Sequence, residues 1–111
     1  MNRKRKQELP HCGEILQTEF LELLDLSQSD LARAIGVPRA RISDIVNGKR
    51  AITADTDLRL TKYFGLSEGY FLRIQERLDL LYARREIGRD LDRIELHPAL
   101  ADRKQEPFEK A

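Results

Sequence analysis

The sequence predicts an all-α fold of five helices, the last of which is extended. Three observations support this: apolar residues recur at helical spacing, residues that cap helices flank these segments, and charged residues are abundant. Of the 111 residues, 41% are hydrophobic and 35% are charged, a balance that favours a small helical domain over a disordered chain. We expect one modest core, in a size range where dimerisation commonly adds stability.

The first predicted helix spans residues 14–24, after Pro10 and Gly13. Apolar residues form a stripe along it, which indicates that this helix packs in the core and does not form a site. The stripe comprises Ile15, Leu16, Phe20, Leu23 and Leu24.

Residues 26–50 predict two short helices around a tight turn. Ser27 precedes the first of them and Asp30 follows three residues later, which resembles a capping box. Gly36 favours the left-handed conformation in which helices commonly end. Pro38 is expected at the first position of the next helix, where its missing N–H would be unsatisfied anyway. The segment therefore predicts a helix-turn-helix.

The third helix carries a basic face. If Ile42, Ile45 and Val46 are buried, the helical period turns the opposite face to solvent. Arginine can donate two hydrogen bonds to the O6 and N7 acceptors of guanine, and the methyl group of alanine can contact the methyl group of thymine. We therefore predict double-stranded DNA as a partner. The predicted base contacts are Arg39, Ala40, Arg41, Ser43 and Asp44, and the predicted phosphate contacts are Gln28, Asn47, Lys49 and Arg50. The alternative is a charged face that is only solvated.

The fourth predicted helix begins at Thr53, its N-cap, and runs to Phe64 before Gly65 ends it. Asp55 and Asp57 in its first turn are expected to complement the helix dipole. Its predicted apolar face comprises Leu58, Leu60 and Phe64.

The last predicted helix is capped by Ser67 and runs to about Glu86, with a weaker continuation to Ile94. Gly88 predicts a break or kink, because glycine costs roughly 1 kcal/mol relative to alanine in a helix interior. The residues expected to pack within the chain are Phe71, Ile74 and Leu78.

Further apolar residues recur over too much of this helix for one small core, which predicts a two-fold dimer interface. These residues are Leu80, Leu81, Ile87, Leu91 and Ile94. The alternative is that they also pack within the same chain. A symmetric dimer would place two third helices about 34 Å apart, or a multiple of that, and would require an inverted-repeat site on DNA.

The predicted domain covers residues 10–96, between a basic tail at 1–9 and a polar tail at 97–111. The four consecutive basic residues at 3–6 favour a solvated tail; the alternative is an arm that contacts phosphates or enters the minor groove. The net charge is only +1, so any affinity for DNA must come from charge placed on one face.

Several function classes are disfavoured. Cys12 is the only cysteine, and with His11 and His97 it gives too few ligands for a zinc site, so we expect no metal and no cofactor. The sequence shows neither a nucleophile paired with a base nor a phosphate-binding loop, so we do not expect an enzyme. The absence of a long apolar run or a signal peptide makes the cytoplasm the expected compartment and a membrane partner unexpected.

Two sequence runs, SQSDLARAIGV and RISDIVNGKR, resemble the Xre-type helix-turn-helix. Three others, PHCGEIL, NGKRAITADTDLRLTKYFG and LRIQERLDLLYARRE, resemble the HigA-type antitoxins of bacterial toxin–antitoxin modules. Two positions depart from the family pattern: Cys12 stands where proline is usual, and Tyr70-Phe71-Leu72 replaces Phe-Trp-Leu.

The resemblance implies a lambda-repressor-like five-helix domain at residues 10–96, including the long C-terminal helix. It also implies a sequence-specific autorepressor that neutralises a small HigB-like toxin encoded beside it, a ribonuclease that cleaves mRNA at the ribosome. The alternative is a stand-alone Xre-type transcriptional regulator that has no toxin partner.

Overall fold

The computed structural model describes residues 9–101 and is helical within that range, as expected for an all-α fold of five helices. The basic residues at 3–6 and the end of the polar tail lie outside the described residues. The helices are α1 (Cys12–Leu16), followed directly by a π-helical turn (Gln17–Leu21), α2 (Gln28–Ile35), α3 (Arg39–Val46), α4 (Ala54–Phe64) and α5 (Tyr70–Arg93), with a 3₁₀ turn at Pro98–Leu100.

The core lies between α1–α4 and the first turn of α5. Three aromatic rings meet in it: the centroid of Phe20 lies 4.8 Å from that of Phe64 and 5.2 Å from that of Phe71. Tilted and edge-on contacts of this kind add about 0.5–1.5 kcal/mol beyond their burial. The buried apolar side chains are Cys12, Leu16, Leu21, Leu31, Ala32, Ile35, Ile42, Ile45, Ile52, Leu60 and Phe71.

The π-helical turn makes part of the first prediction wrong. Leu21 is buried, whereas Leu23 is 74% exposed and Leu24 is also exposed. The amide of Glu22 donates to the carbonyl of Gln17, five residues back, at 2.8 Å. Each such turn holds one more residue than an α-helical turn, so it rotates the following side chains off the expected stripe.

The helix-turn-helix has the predicted caps. The Ser27 hydroxyl accepts from the amide of Asp30 at 2.9 Å, and Gly36 ends α2 with a left-handed φ of 74°. Pro38, expected at the first helical position, is instead the N-cap of α3, because its ψ of 146° is extended. The proline ring restrains φ to a value that both helical and extended residues adopt, but it does not fix ψ. The sequence therefore does not decide between the N-cap and the first helical position.

Helix α4 begins and ends as predicted, at Thr53 and Gly65, but its buried face differs. Leu58 is exposed, while Leu60 is buried beside Thr56, Asp57 and Thr61. The predicted face assumed that apolar residues alone are buried. The three polar side chains are instead buried with hydrogen-bond partners, which removes most of the cost of burying them.

The partners of Asp57 correct a second expectation. Ser67 does not cap α5; the N-cap residue is Gly69, with a φ of 89° and no side-chain bond. The Asp57 carboxylate accepts instead from the amides of Gly69, Phe71 and Leu72, at 2.7, 2.9 and 3.1 Å. A buried side chain of α4 therefore caps α5.

Helix α5 extends well beyond the core. Its helical geometry is interrupted at Ile87 (φ −112°, ψ 20°), directly before Gly88, where the sequence predicts a break or kink. Only Phe71, in the first turn, is buried, so most of the 24-residue helix has no core of its own chain to cover it.

Candidate nucleic-acid interface

Close backbone contacts position α3. Gly13 of α1 lies against the end of α3, where a Cβ atom would overlap the carbonyl oxygen of Ile45. Directly before it, the backbone amide of His11 donates to the Glu14 carboxylate at 3.3 Å, as in a capping box. The start of α1, from His11 to Glu14, thus packs against the end of α3.

The loop after α3 folds back on that helix. The amides of Lys49 and Arg50 both donate to the carbonyl of Asp44, at 2.8 and 3.2 Å. Further along, the side-chain amide of Gln75 pairs with both backbone groups of Ile52, at 2.7 and 2.8 Å. This pairing joins the loop to α5 and was not expected from the sequence, since the two residues are 23 positions apart.

The predicted base-contacting residues lie on the solvent side of α3. Arg39 and Ala40 are exposed on its first turn, while Arg41, Ser43 and Asp44 are half-buried. Within residues 9–101, the Arg39 side chain makes no hydrogen bond or ion pair. It is therefore available to a ligand. These residues thus lie close together, on the first two turns of α3. Their contact with bases stays a prediction.

Arg41 is already engaged. Its Nη1 donates to Oδ1 of Asp55 at 3.2 Å, and the same oxygen accepts from Nε of Arg59 at 2.8 Å. Nη1 of Arg59 also donates to the carbonyls of Ile35 and Gly36, at 2.8 and 3.4 Å. The hydrogen bond from Arg59, with the charges of both arginines, holds the pKa of the Asp55 carboxyl below its usual range.

Sequence reasoning missed this network. The sequence predicts only an interaction of Asp55 with the helix dipole, although its spacing of four residues from Arg59 is a recognised ion-pair signal. The pair between Asp55 and Arg41 joins two helices and carries no such local signal.

The predicted phosphate-contacting residues border the same helix. Gln28 opens α2 and is half-buried, while Asn47, Lys49 and Arg50 are exposed after α3. Nε of Arg50 lies 4.0 Å from Oδ2 of Asp44. A pair at this distance between exposed groups is weak, so Arg50 remains able to exchange Asp44 for another anion.

Neither a metal-ligating cluster nor a membrane-spanning helix is found among the described residues. Residues 9–101 hold no group of three or more metal-ligating side chains. In the same range, no helix is both long enough and apolar enough to span a membrane.

The predicted dimer residues form a second candidate surface, on residues 80–94, which include the C-cap residue Ile94 and are called the outer part of α5. All five have exposed side chains in the single chain, with exposed fractions from 38% at Leu91 to 70% at Ile94. Leu96, directly beyond the helix, is exposed as well. Exposed apolar side chains recurring along one helix commonly indicate an interaction surface.

Comparison with known proteins identifies the family. A helix-turn-helix family model matches residues 19–71. The antitoxin HigA-1 of Vibrio cholerae is 36% identical over 78 residues, which cover 70% of this chain and 73% of that protein. The chain belongs to the HigA family of antitoxins, within the Xre-type helix-turn-helix proteins.

Solved structures agree with this assignment. The HigA antitoxin of Pseudomonas aeruginosa, solved with the higBA promoter, superposes with a TM-score of 0.72 at 37% identity and covers 80% of this chain and 96% of that chain. A further relative, the virulence-associated protein I of Dichelobacter nodosus, is 45% identical over 83 residues, covering 73% of this chain and 77% of that protein. In this HigA-family chain, the matched segment contains α2, α3 and α4, which carry the candidate interface.

Proposed function

We propose that this HigA-family chain is a dimeric repressor of its own operon and an antitoxin that neutralises a HigB-like, mRNA-cleaving toxin. One observation carries the DNA-binding half: Arg39 and Ala40 are exposed on the first turn of a helix whose other end packs closely against Gly13 of α1. A HigA relative from Pseudomonas aeruginosa was solved with promoter DNA, which supports DNA binding by this family member.

In this proposal, residues of α3 contact the bases, and residues beside it contact the phosphates. Base edges in the major groove can be read by bidentate arginines, by a small apolar group, by a hydroxyl, or by a carboxylate that accepts from cytosine N4. The residues of α3 that offer these groups are Arg39, Ala40, Arg41, Ser43 and Asp44. Phosphate contacts set the register on DNA without reading its sequence. They suit Gln28 at the start of α2 and the residues that follow α3, Asn47, Lys49 and Arg50. The net charge of +1 means that this local arrangement supplies the attraction.

The outer part of α5 supplies the dimer contact in this proposal, through Leu80, Leu81, Ile87, Leu91 and Ile94. In a two-fold interface the same surface of both chains is in contact, so these apolar side chains would pack against the same residues of a second chain. The two copies of α3 would then meet an inverted repeat with half-sites about 34 Å apart, or a multiple of that.

The toxin-binding half rests on membership of the HigA family. The chain acts in this proposal by binding and not as an enzyme, in the cytoplasm, where operon DNA and mRNA are found. Co-expression with the adjacent reading frame tests it: recovery of growth and a stable complex are expected. An adjacent frame that is neither toxic nor bound would favour a stand-alone regulator.

The DNA-binding half is tested by fluorescence anisotropy, with the gene's own upstream duplex and a scrambled duplex at fixed salt. Replacing Arg39 or Arg41 with alanine should cost about 1–3 kcal/mol on the upstream duplex and much less on the scramble. Arg77→Ala is the matched control, because it removes the same charge from an exposed site on α5. Equal losses on both duplexes would reduce the two arginines to phosphate contacts.

A further inference from the structure

The two arginines at the start of α3 differ in their surroundings. Arg39 is exposed without a partner among the described residues, whereas Arg41 is 29% exposed and bonded to Asp55 of α4. Asp55 Oδ1 is in turn shared with Arg59, which is bonded to the carbonyl end of α2. The Arg41 guanidinium is thus connected to both other helices around the candidate interface.

Stability alone does not explain the pair. Asp55 is 60% exposed, and ion pairs between exposed groups contribute little to folding stability. The contact does limit where the guanidinium can point, because it is bonded to a carboxylate oxygen that also accepts from Arg59. An arginine that is oriented beforehand loses less conformational entropy when it binds a planar acceptor pair.

We propose that Asp55 is a positioning residue for DNA recognition: it holds the Arg41 guanidinium toward the base edges and away from the phosphates. This inference rests on the proposed DNA-binding function. The carboxylate acts in two ways, since it orients the side chain and also cancels part of the positive charge that would attract any phosphate.

The two effects act in the same direction on specificity. Orientation favours a bidentate contact with one base, whereas partial neutralisation weakens binding to random sequence, where phosphate attraction dominates. Asp55 therefore raises the ratio of operator affinity to random-sequence affinity without touching DNA itself.

The experiment measures that ratio for Asp55→Asn, on the upstream and scrambled duplexes at several salt concentrations. The ratio should fall by about tenfold, within the range expected for one lost bidentate contact. Binding to the scramble should strengthen, and its log–log salt dependence should steepen by about one unit as Arg41 gains a phosphate. Glu68→Gln is the control, because it removes an equal charge from an exposed turn before α5.

Two further variants separate positioning from a structural effect. Asp55→Glu keeps the charge on a longer side chain and should restore most of the ratio. In the Arg41→Ala background, Asp55→Asn should change the ratio less than twofold, because the residue through which Asp55 acts is gone. Thermal unfolding of each variant reports whether the domain remains folded.

An unchanged ratio in Asp55→Asn, or an equal fall in the Arg41→Ala background, would overturn the inference while leaving the proposed function intact. A wild-type protein that binds both duplexes equally would overturn the proposed function itself, and the inference with it. The wild-type titration therefore distinguishes the two failures.

Discussion

The region from α1 to α4 and the outer part of α5 use their apolar residues in opposite ways. Ten of the eleven buried apolar side chains in the described range precede α5, and the eleventh, Phe71, lies in its first turn. Beyond the first turns, the same helix leaves leucines and isoleucines exposed as far as Ile94. One helix thus begins as part of a core and continues as a surface that a partner can cover.

Polar contacts differ between the two regions as well. In the core region, the side chains of Asp57 and Gln75 satisfy backbone groups that would otherwise be unpaired near the interior. The outer part of α5 carries pairs such as Arg93 with Asp90, at 2.9 Å, in which both side chains are largely exposed. Substitutions in the core should therefore reduce folding stability, and those on outer α5 should reduce assembly.

Loss of the Asp57 carboxylate should have the largest effect. Asp57→Ala leaves three backbone amides at the start of α5 without an acceptor, and each orphaned buried donor costs about 1–3 kcal/mol. We expect the free energy of unfolding to fall by about 4 kcal/mol, measured by urea denaturation. Asp90→Ala on outer α5 is the control, with an expected loss below about 1 kcal/mol. Similar losses in both variants would erase the proposed contrast.

A methyl group at Gly13 should have the next largest effect. Gly13→Ala forces α1 away from the carbonyl of Ile45, and overpacking of this kind costs about 3 kcal/mol. Gly88→Ala on α5 is a control of opposite sign, because a Cβ there meets no atom within 4 Å and alanine favours helix by about 1 kcal/mol. Thermal unfolding should lower the Tm of the first variant and raise that of the second; a stable Gly13→Ala protein would contradict the close approach.

A charge at Leu91 should affect assembly and not folding. In a two-fold interface Leu91→Asp acts twice, so we expect the dimer Kd to rise roughly 30-fold, or about 2 kcal/mol. Leu24→Asp is the matched control, since Leu24 is also an exposed leucine but lies outside α5. Sedimentation should shift toward monomer only for the first variant. An unchanged dimer would remove Leu91 from the interface.

The smallest expected effect concerns Cys12, whose thiol lies 3.5 Å from the carbonyl of Phe71. Burial raises the pKa of this thiol from 9.0 to about 11, and the charges of Asp57 and Asp79 add to the rise. Between pH 9 and 11 the unfolded chain therefore binds fewer protons than the folded one, and stability falls as pH rises.

Comparison with Cys12→Ala isolates this contribution. The wild type should lose about 1 kcal/mol more than the variant between pH 9 and 10, in urea denaturation at equal protein concentration. Parallel curves would show that the thiol ionises equally in both states, and so that this side of the core is open to water.

Local signals predicted the helix ends well. Ser27, Gly36, Thr53 and Gly65 each act on atoms within a few residues, so the sequence around them contains the whole interaction. The same reasoning failed at Ser67, because the acceptor that caps α5 is supplied by Asp57, ten residues earlier and on another helix. Sequence spacing gives no sign of such a contact.

The candidate interface divides in the same way. Helical periodicity, with the buried Ile42 and Ile45, predicts that Arg39 is exposed on α3. Periodicity does not predict that Arg41 is bonded to Asp55, since that contact depends on how α3 crosses α4. Likewise, the two departures from the family pattern are far apart in sequence, yet the thiol of Cys12 contacts the backbone of Phe71.

The sequence by itself determined the presence of the helices, the caps at Ser27, Gly36, Thr53 and Gly65, and the family, because these follow from periodicity and from contacts within a few residues. The tertiary structure decided which side of the first and fourth helices is buried, through the π-helical turn at Gln17–Leu21 and the buried carboxylate of Asp57. It also decided the partner of Arg41. The physical reason is that each of these depends on backbone register and helix crossing, in which a rotation of one residue exchanges a buried side chain for an exposed one.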